Sequence, residues 1–65
     1  MITSNVKIGF VRDKRLTAEH VKVVTENGTV FLLGIVTRAE ADAATEITSA
    51  TSGVQRVVKL FEYLD

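Results

Sequence analysis

A chain of 65 residues without cysteine has room for one small domain and can form neither disulfides nor thiolate metal sites. Eight basic and eight acidic residues give a formal net charge of zero, which excludes broad electrostatic attraction to nucleic acid. Apolar residues make up 46% of the chain, so some apolar surface is expected outside so small a core. No apolar run approaches the roughly 20 residues of a membrane span.

The first predicted element is a helix from Ile2 to Val11, in which apolar residues recur every four positions. Its apolar stripe consists of Ile2, Val6 and Phe10. Gly9 weakens this helix by about 1 kcal/mol relative to alanine. The connection that follows is polar, and its one large aliphatic residue, Leu16, is expected to lie beneath the loop.

A hairpin of two strands comes next. The segment from Val21 to Thr25 is β-branched and alternating, and Asn27-Gly28 is a strong turn signal because both residues accept positive φ. The second strand runs from Thr29 to Val36 and is apolar on both faces. Its two faces are Val30, Leu32, Gly34 and Val36 on one side, and Phe31, Leu33 and Ile35 on the other. A strand without a polar face belongs at the centre of a sheet.

A second helix and a third strand complete the chain. The T-x-x-E pattern from Thr37 to Glu40 predicts a capping box, and the helix is expected to run to about Ser52, with Gly53 at its C′ position. The expected inner face is Ala43, Ala44, Ile47, Ala50 and Thr51. Gly34 is expected to let this helix approach the sheet closely. The segment from Val54 to Tyr63 is rich in valine and aromatic residues and reads as a strand.

The predicted fold is therefore an α+β fold with the order αββαβ. The hairpin makes the first two strands antiparallel, and a right-handed crossover through the second helix lays the third strand parallel to the second. The sheet is mixed, with strand order 1-2-3, and both helices pack on one of its faces.

The other face of the sheet is left uncovered. Parity predicts that it presents Val24, Phe31, Leu33, Ile35, Val58 and Leu60, with Lys22 and Glu62 beside them. So many large apolar side chains exceed the ordinary scatter of surface hydrophobes, so we expect a second copy, a neighbouring domain or a further tail to cover them. The alternative is the opposite parity for the third strand, which would put Val58 and Leu60 in the core.

No catalytic constellation is visible, so we expect no enzyme, no cofactor, no metal site and no small-molecule substrate. His20 lies on a loop edge without an evident nucleophile or orienting acid. Three carboxylates of the second helix, Glu40, Asp42 and Glu46, have the spacing of a solvated polar face. The glycines do not form a phosphate-binding loop.

Four ordered motifs resemble the BON domain family. They are I-T-x-x-V at Ile2 to Val6, V-x-V-x-x-x-N-G-x-V-x-L-x-G-x-V at Val21 to Val36, T-x-x-E-A-x-x-A at Thr37 to Ala44, and S-G-V-x-x-V at Ser52 to Val57. The set covers essentially the whole chain and is most similar to the second BON domain of dual-BON lipoproteins of the Gram-negative outer membrane. The resemblance implies the order αββαβ, in agreement with the order argued above.

The resemblance also implies a function and a place in the cell. It implies a non-enzymatic, phospholipid-binding domain of the periplasm, associated with the outer membrane and contributing to its integrity. Residues 1–65 hold one BON-like domain with neither a signal peptide nor a lipobox cysteine, so we expect a domain excised from a longer envelope protein. For the uncovered sheet face, the family offers another BON domain, in tandem or as the second copy of a homodimer.

The expected lipid-binding surface is the outer side of the first helix and the loop after it. It consists of Ser4, Lys7, Ile8, Val11, Arg12, Lys14 and Arg15. Exposed aliphatics beside cations suit insertion into a surface of anionic phospholipid. Asp13, Gly9 and the lack of tryptophan count against this site, and the alternative is a solvated loop with Ile8 half buried. A second hypothesis gives the chain a different function, as a protein-interaction module that pairs through its apolar sheet face.

Overall fold

Residues 1–65 are described by a computed structural model with two α-helices, one short 3-10 helix and three strands. The elements are α1 (Ile2–Arg12), the 3-10 helix (Ala18–His20), β1 (Lys22–Glu26), β2 (Thr29–Val36), α2 (Arg38–Ala50) and β3 (Arg56–Tyr63). The predicted α+β fold and its order αββαβ are confirmed. The bounds of β2 are those predicted, while β3 begins two residues later than expected because Val54 and Gln55 lie between the turn after α2 and the strand.

The sheet has the predicted order β1-β2-β3, with β2 at its centre. β1 pairs antiparallel with β2, and β3 pairs parallel with it. The turn between β1 and β2 has positive φ at both of its central residues, 49° at Asn27 and 80° at Gly28. Positive φ at both positions gives a two-residue turn whose twist matches that of the flanking strands. The turn therefore fixes the pairing register of β1 and β2.

The core lies between the helices and one face of the sheet. Val30, Leu32 and Val36 of β2 are fully buried there, against Val6 and Phe10 of α1. Leu16 is buried beneath the loop as predicted. The buried residues of α2 are Ala41, Ala43, Ala44 and Thr48. The assignment of Ala50 to the inner face was wrong, because Ala50 is exposed at the end of the helix, while Thr48 of the same turn is buried.

The two ends of α2 differ in how well the pattern predicted them. The capping box is confirmed: the Glu40 backbone N–H donates to Thr37 Oγ1 at 3.2 Å, and the Thr37 backbone N–H donates to Glu40 Oε1 at 3.1 Å. At the other end Thr51 is the C-cap, so Gly53 lies two residues beyond it rather than at C′. Gly53 has φ of 90° and forms the turn into β3.

Two glycines permit close approaches between elements. A Cβ at Gly34 would lie 2.1 Å from the backbone oxygen of His20. The segment that approaches β2 there is therefore the 3-10 helix, and the expectation that Gly34 lets α2 approach was wrong. A Cβ at Gly9 would lie 2.5 Å from Ile47 Cγ2, so the missing side chain lets α1 and α2 cross. The helix propensity lost at Gly9 is offset by this packing.

Candidate functional site

The outward surface of α1 carries aliphatic and basic side chains together. Ile8 and Val11 are 50% and 76% exposed, and Lys7, Arg12 and Ser4 are exposed around them. Four of these residues, without Ser4, line a shallow groove of about 240 Å³. The helix contains no acidic residue. This surface, called the α1 face below, therefore combines apolar area with positive charge.

A second groove, of about 400 Å³, borders Lys7 and Val11 as well. Its other lining residues are Ala18, Glu19 and Val21, from the 3-10 helix and the residue after it. Sequence reasoning missed these three residues. No local motif links them to α1, because only the tertiary fold brings the two segments together.

Arg15 differs from the other predicted lipid-binding cations because two carboxylates hold its guanidinium. Its Nη2 lies 2.7 Å from Asp13 Oδ2, and its Nη1 lies 3.0 Å from Glu46 Oε2. The side-chain hydrogen bond from Arg15, with a further one from its backbone N–H, lowers the pKa of Asp13 to about 2. Glu46 is exposed, as predicted for a residue of a solvated face, and its carboxylate also joins the loop to α2. The charge of Arg15 is therefore largely neutralised where it lies.

Three other cations surround the α1 face without ion pairs in the chain: Lys7, Arg12 and Lys14. Asp13 stands among them in the sequence and was counted against a lipid site. Its carboxylate is turned towards Arg15, with which it makes both side-chain and backbone hydrogen bonds. Asp13 and Arg15 thus compensate each other, which leaves the three unpaired cations near α1, with Glu19 and Glu46 as the neighbouring acids.

The opposite surface of the molecule is the uncovered face of the sheet. Register places Phe31 beside Val24 and Val58, and Leu33 beside Leu60, so all of them point away from the helices. The predicted parity of the third strand is confirmed, and the alternative with Val58 and Leu60 in the core is wrong. The predicted interface residues Ile35 and Leu60 are 58% and 54% exposed. Whether they form an interface stays a prediction.

His20 has a neighbour that the sequence did not reveal. Its Nδ1 lies 3.4 Å from Glu40 Oε2, so an orienting acid is present although none was expected. The Glu40 side chain is only 15% exposed and does not belong to a solvated face, because it also caps α2. The hydrogen bond from the Thr37 backbone N–H is the main cause that lowers the pKa of Glu40. No serine or threonine hydroxyl makes a hydrogen bond with the imidazole ring of His20.

Two further properties bear on what the surfaces can do. No group of three or more histidine, aspartate or glutamate side chains is placed to hold a metal ion. Neither α1 nor α2 has the length and hydropathy needed to cross a membrane.

Comparison with known proteins gives a family and two relatives. A protein-family model described as the BON domain matches residues 1–65. Outer membrane lipoprotein DolP of Haemophilus influenzae is 52% identical over 64 residues, which are 98% of this chain and 33% of the lipoprotein. A 21 kDa hemolysin of Actinobacillus pleuropneumoniae is 41% identical over 63 residues, which are 97% of this chain and 32% of the hemolysin. The chain thus spans about a third of the length of the curated relatives it matches.

Proposed function

This chain belongs to the BON domain family, and we propose that it binds the surface of anionic phospholipid membranes through the α1 face, without catalysing a reaction. Because one relative is an outer membrane lipoprotein, we place this binding in the cell envelope, on the periplasmic side of the outer membrane, as a contribution to membrane integrity. The carrying observation is the pair Ile8 and Val11, exposed between Lys7 and Arg12 on a helix without acidic residues.

The energy of such contact can be worked from the residues. Each cation near an anionic surface contributes about 1 kcal/mol, so the three unpaired cations contribute about 3 kcal/mol. Partial burial of Ile8 and Val11 among lipid headgroups adds about 1 kcal/mol each, which is below the value for full burial of such side chains. A total of about 5 kcal/mol corresponds to weak, reversible binding that depends on salt.

The test is co-sedimentation with vesicles of phosphatidylglycerol mixed with phosphatidylcholine, and with phosphatidylcholine alone, at low and high salt. We expect binding to the anionic vesicles only, and its loss at high salt. Lys7→Glu removes one attraction and adds one repulsion, so it should weaken binding by about thirtyfold. Lys59→Glu is the matched control, because it makes the same charge change at an exposed site on β3.

Apolar insertion needs its own pair of variants. Val11→Ser removes an exposed aliphatic from the α1 face, while Leu64→Ser removes one of similar exposure near the C-terminus. Only the first should weaken vesicle binding. Arg15 is left unchanged, because reversing its charge would put a carboxylate against Asp13 and Glu46 and disturb the loop. Equal binding by Lys7→Glu and Lys59→Glu would remove the α1 face as the lipid site.

A second candidate function rests on the opposite surface. The apolar sheet face, with Ile35 and Leu60 more than half exposed, favours a module that pairs with another domain. Pairing through apolar contact depends little on salt, whereas attraction to headgroups weakens as salt rises. The two functions use opposite sides of a two-layer fold, so one chain can have both.

A further inference from the structure

The open face of the sheet is an ordered grid of side chains. Four cross-strand rows follow from the register: Glu26, Thr29 and Arg56; Val24, Phe31 and Val58; Lys22, Leu33 and Leu60; and Ile35 with Glu62. The two central rows are apolar apart from Lys22. Lys22 is the first residue of β1, which is shorter than the other two strands, so the four charged residues lie at the ends of the two outer strands, called the corners of the face below.

The corner charges alternate in sign around the rim. Glu26 and Lys22 lie on β1, and Arg56 and Glu62 lie on β3. The two acids occupy diagonally opposite corners, and so do the two bases. None of the four makes an ion pair within the chain. Glu26 and Arg56 share a row but are two strand spacings apart, about 10 Å, which is too far for a direct contact.

We propose that this face is the interface of a symmetric homodimer whose two-fold axis runs along β2, between two facing sheets. Such an axis exchanges the positions of β1 and β3. Glu26 then faces Arg56 of the second copy, and Arg56 faces its Glu26. Lys22 faces β3 of the second copy one row away from Glu62, a distance that the long lysine side chain can span. Phe31 and Leu33 meet their own copies along the axis, which agrees with the aligned packing of sheets.

The dimer is weak, because the face is small. Three strands of five, eight and eight residues, about 4.8 Å apart, cover roughly 350 Å² on each partner. Stable interfaces bury about 800 Å² on each partner. The expected dissociation constant is between about 1 μM and about 1 mM, so the chain is monomeric when dilute and associates as its concentration rises.

The symmetry has a consequence for membranes. α1 packs on the buried face of the sheet, so the α1 face and the open face lie on opposite sides of each protomer. In the dimer the sheets are inside and the two α1 faces point outward in opposite directions. They cannot lie on one flat bilayer together, and the dimer therefore bridges two membrane surfaces. This step rests on the proposed binding of anionic phospholipid by the α1 face.

Self-association is tested first, without lipid, by sedimentation equilibrium from about 10 μM to about 1 mM. Glu26→Arg and Arg56→Glu each place like charges opposite one another at two symmetric points, so each should weaken the dimer by about tenfold. The double variant exchanges the two charges and should restore the association. Lys59→Glu, in a row whose β2 residue Leu32 faces the core, should leave it unchanged.

Each result decides something about the dimer. A chain that stays monomeric throughout this range overturns the proposal. Single and double variants that associate as the unsubstituted chain does also overturn it, because the rim charges would then not meet. If the double variant self-associates more weakly than either single variant, the two-fold axis runs across the strands instead of along them. Arg56 would then meet Glu62 of the second copy, and the stated arrangement is wrong. Far-UV circular dichroism checks that each variant is folded.

Bridging is measured afterwards, as turbidity of the same anionic vesicles. The unsubstituted chain should aggregate them, while Glu26→Arg should bind vesicles by co-sedimentation without aggregating them. Failure of the chain to co-sediment would contradict the proposed lipid binding and leave the sedimentation result standing. Binding with equal turbidity for both chains would overturn bridging through this dimer.

Discussion

Replacing Gly34 by alanine tests how the loop after α1 is held against the sheet. The new Cβ would lie 2.1 Å from the backbone oxygen of His20 and 3.5 Å from Val21 Cα. Carbon and oxygen atoms approach each other to about 3.3 Å in ordinary close contacts, so one backbone must move by more than about 1 Å. The obstacle cannot rotate away, because it is the main chain that leads directly into β1.

The expected loss follows from two costs. Inserting a methyl group into a filled region costs about 1–3 kcal/mol. A φ of 152° costs any residue other than glycine about 1 kcal/mol more. Gly34→Ala should therefore reduce the free energy of unfolding by about 3 kcal/mol. At about 0.05–0.15 kcal/mol per residue, a chain of 65 residues has about 3–10 kcal/mol in total. The variant should be marginally folded at room temperature.

Urea unfolding followed by circular dichroism measures this loss, with Gly53→Ala as the control. Gly53 has a φ of 90°, but its nearest neighbours are side-chain atoms of Ile2 at 3.2 Å, which can give way. The control should lose about 1 kcal/mol, from the backbone conformation alone. Equal losses at the two positions, or a loss below about 1 kcal/mol at Gly34, would refute the close approach as the reason for that glycine.

Two other predictions concern the carboxylates. The pKa of the Asp13 carboxyl, measured by NMR titration, should be about 2, and Arg15→Gln should return it towards about 4. Because the folded pKa is below the unfolded one, the contact stabilises the fold above about pH 4. This stabilisation is lost as the pH falls to 2. Thr37→Ala should lower the free energy of unfolding by about 1 kcal/mol in thermal or urea melts. The pKa of Glu40 should stay below its ordinary value in that variant, because the backbone N–H of residue 37, its main donor, remains.

The fold could be predicted because its main signals are local. Asn27-Gly28 specifies the turn, T-x-x-E specifies the start of α2, and the two apolar faces of β2 specify its central place. Errors arose where a contact between distant segments decides the outcome. Gly34 was assigned to a close helix because the position of the 3-10 helix cannot be read from spacing. Ala50 was assigned to the inner face of α2 because periodicity does not say at which residue the helix ends.

The predicted site shows the same division between local and distant information. The exposure of Ile8 and Val11 follows from the helical period that buries Val6 and Phe10. The ion pair between Arg15 and Glu46 could not be predicted in this way, because the two residues are 31 positions apart and nothing in either segment indicates the contact. Counting charges along the sequence therefore gave four cations for the lipid surface, where the geometry leaves three unpaired.

The apolar side chains on the two outer surfaces contribute little to the fold of a single chain. Val11 and Leu60 are more than half exposed, and the buried cluster that holds the domain together includes neither. Polar substitutions at such sites change the free energy of unfolding by only about 0.5 kcal/mol. In so small a domain, whose stability is limited by the size of its core, these residues expose apolar area to water without stabilising the monomer. Their exposure is consistent with burial in a complex, with lipid at the α1 face and with a second copy at the sheet.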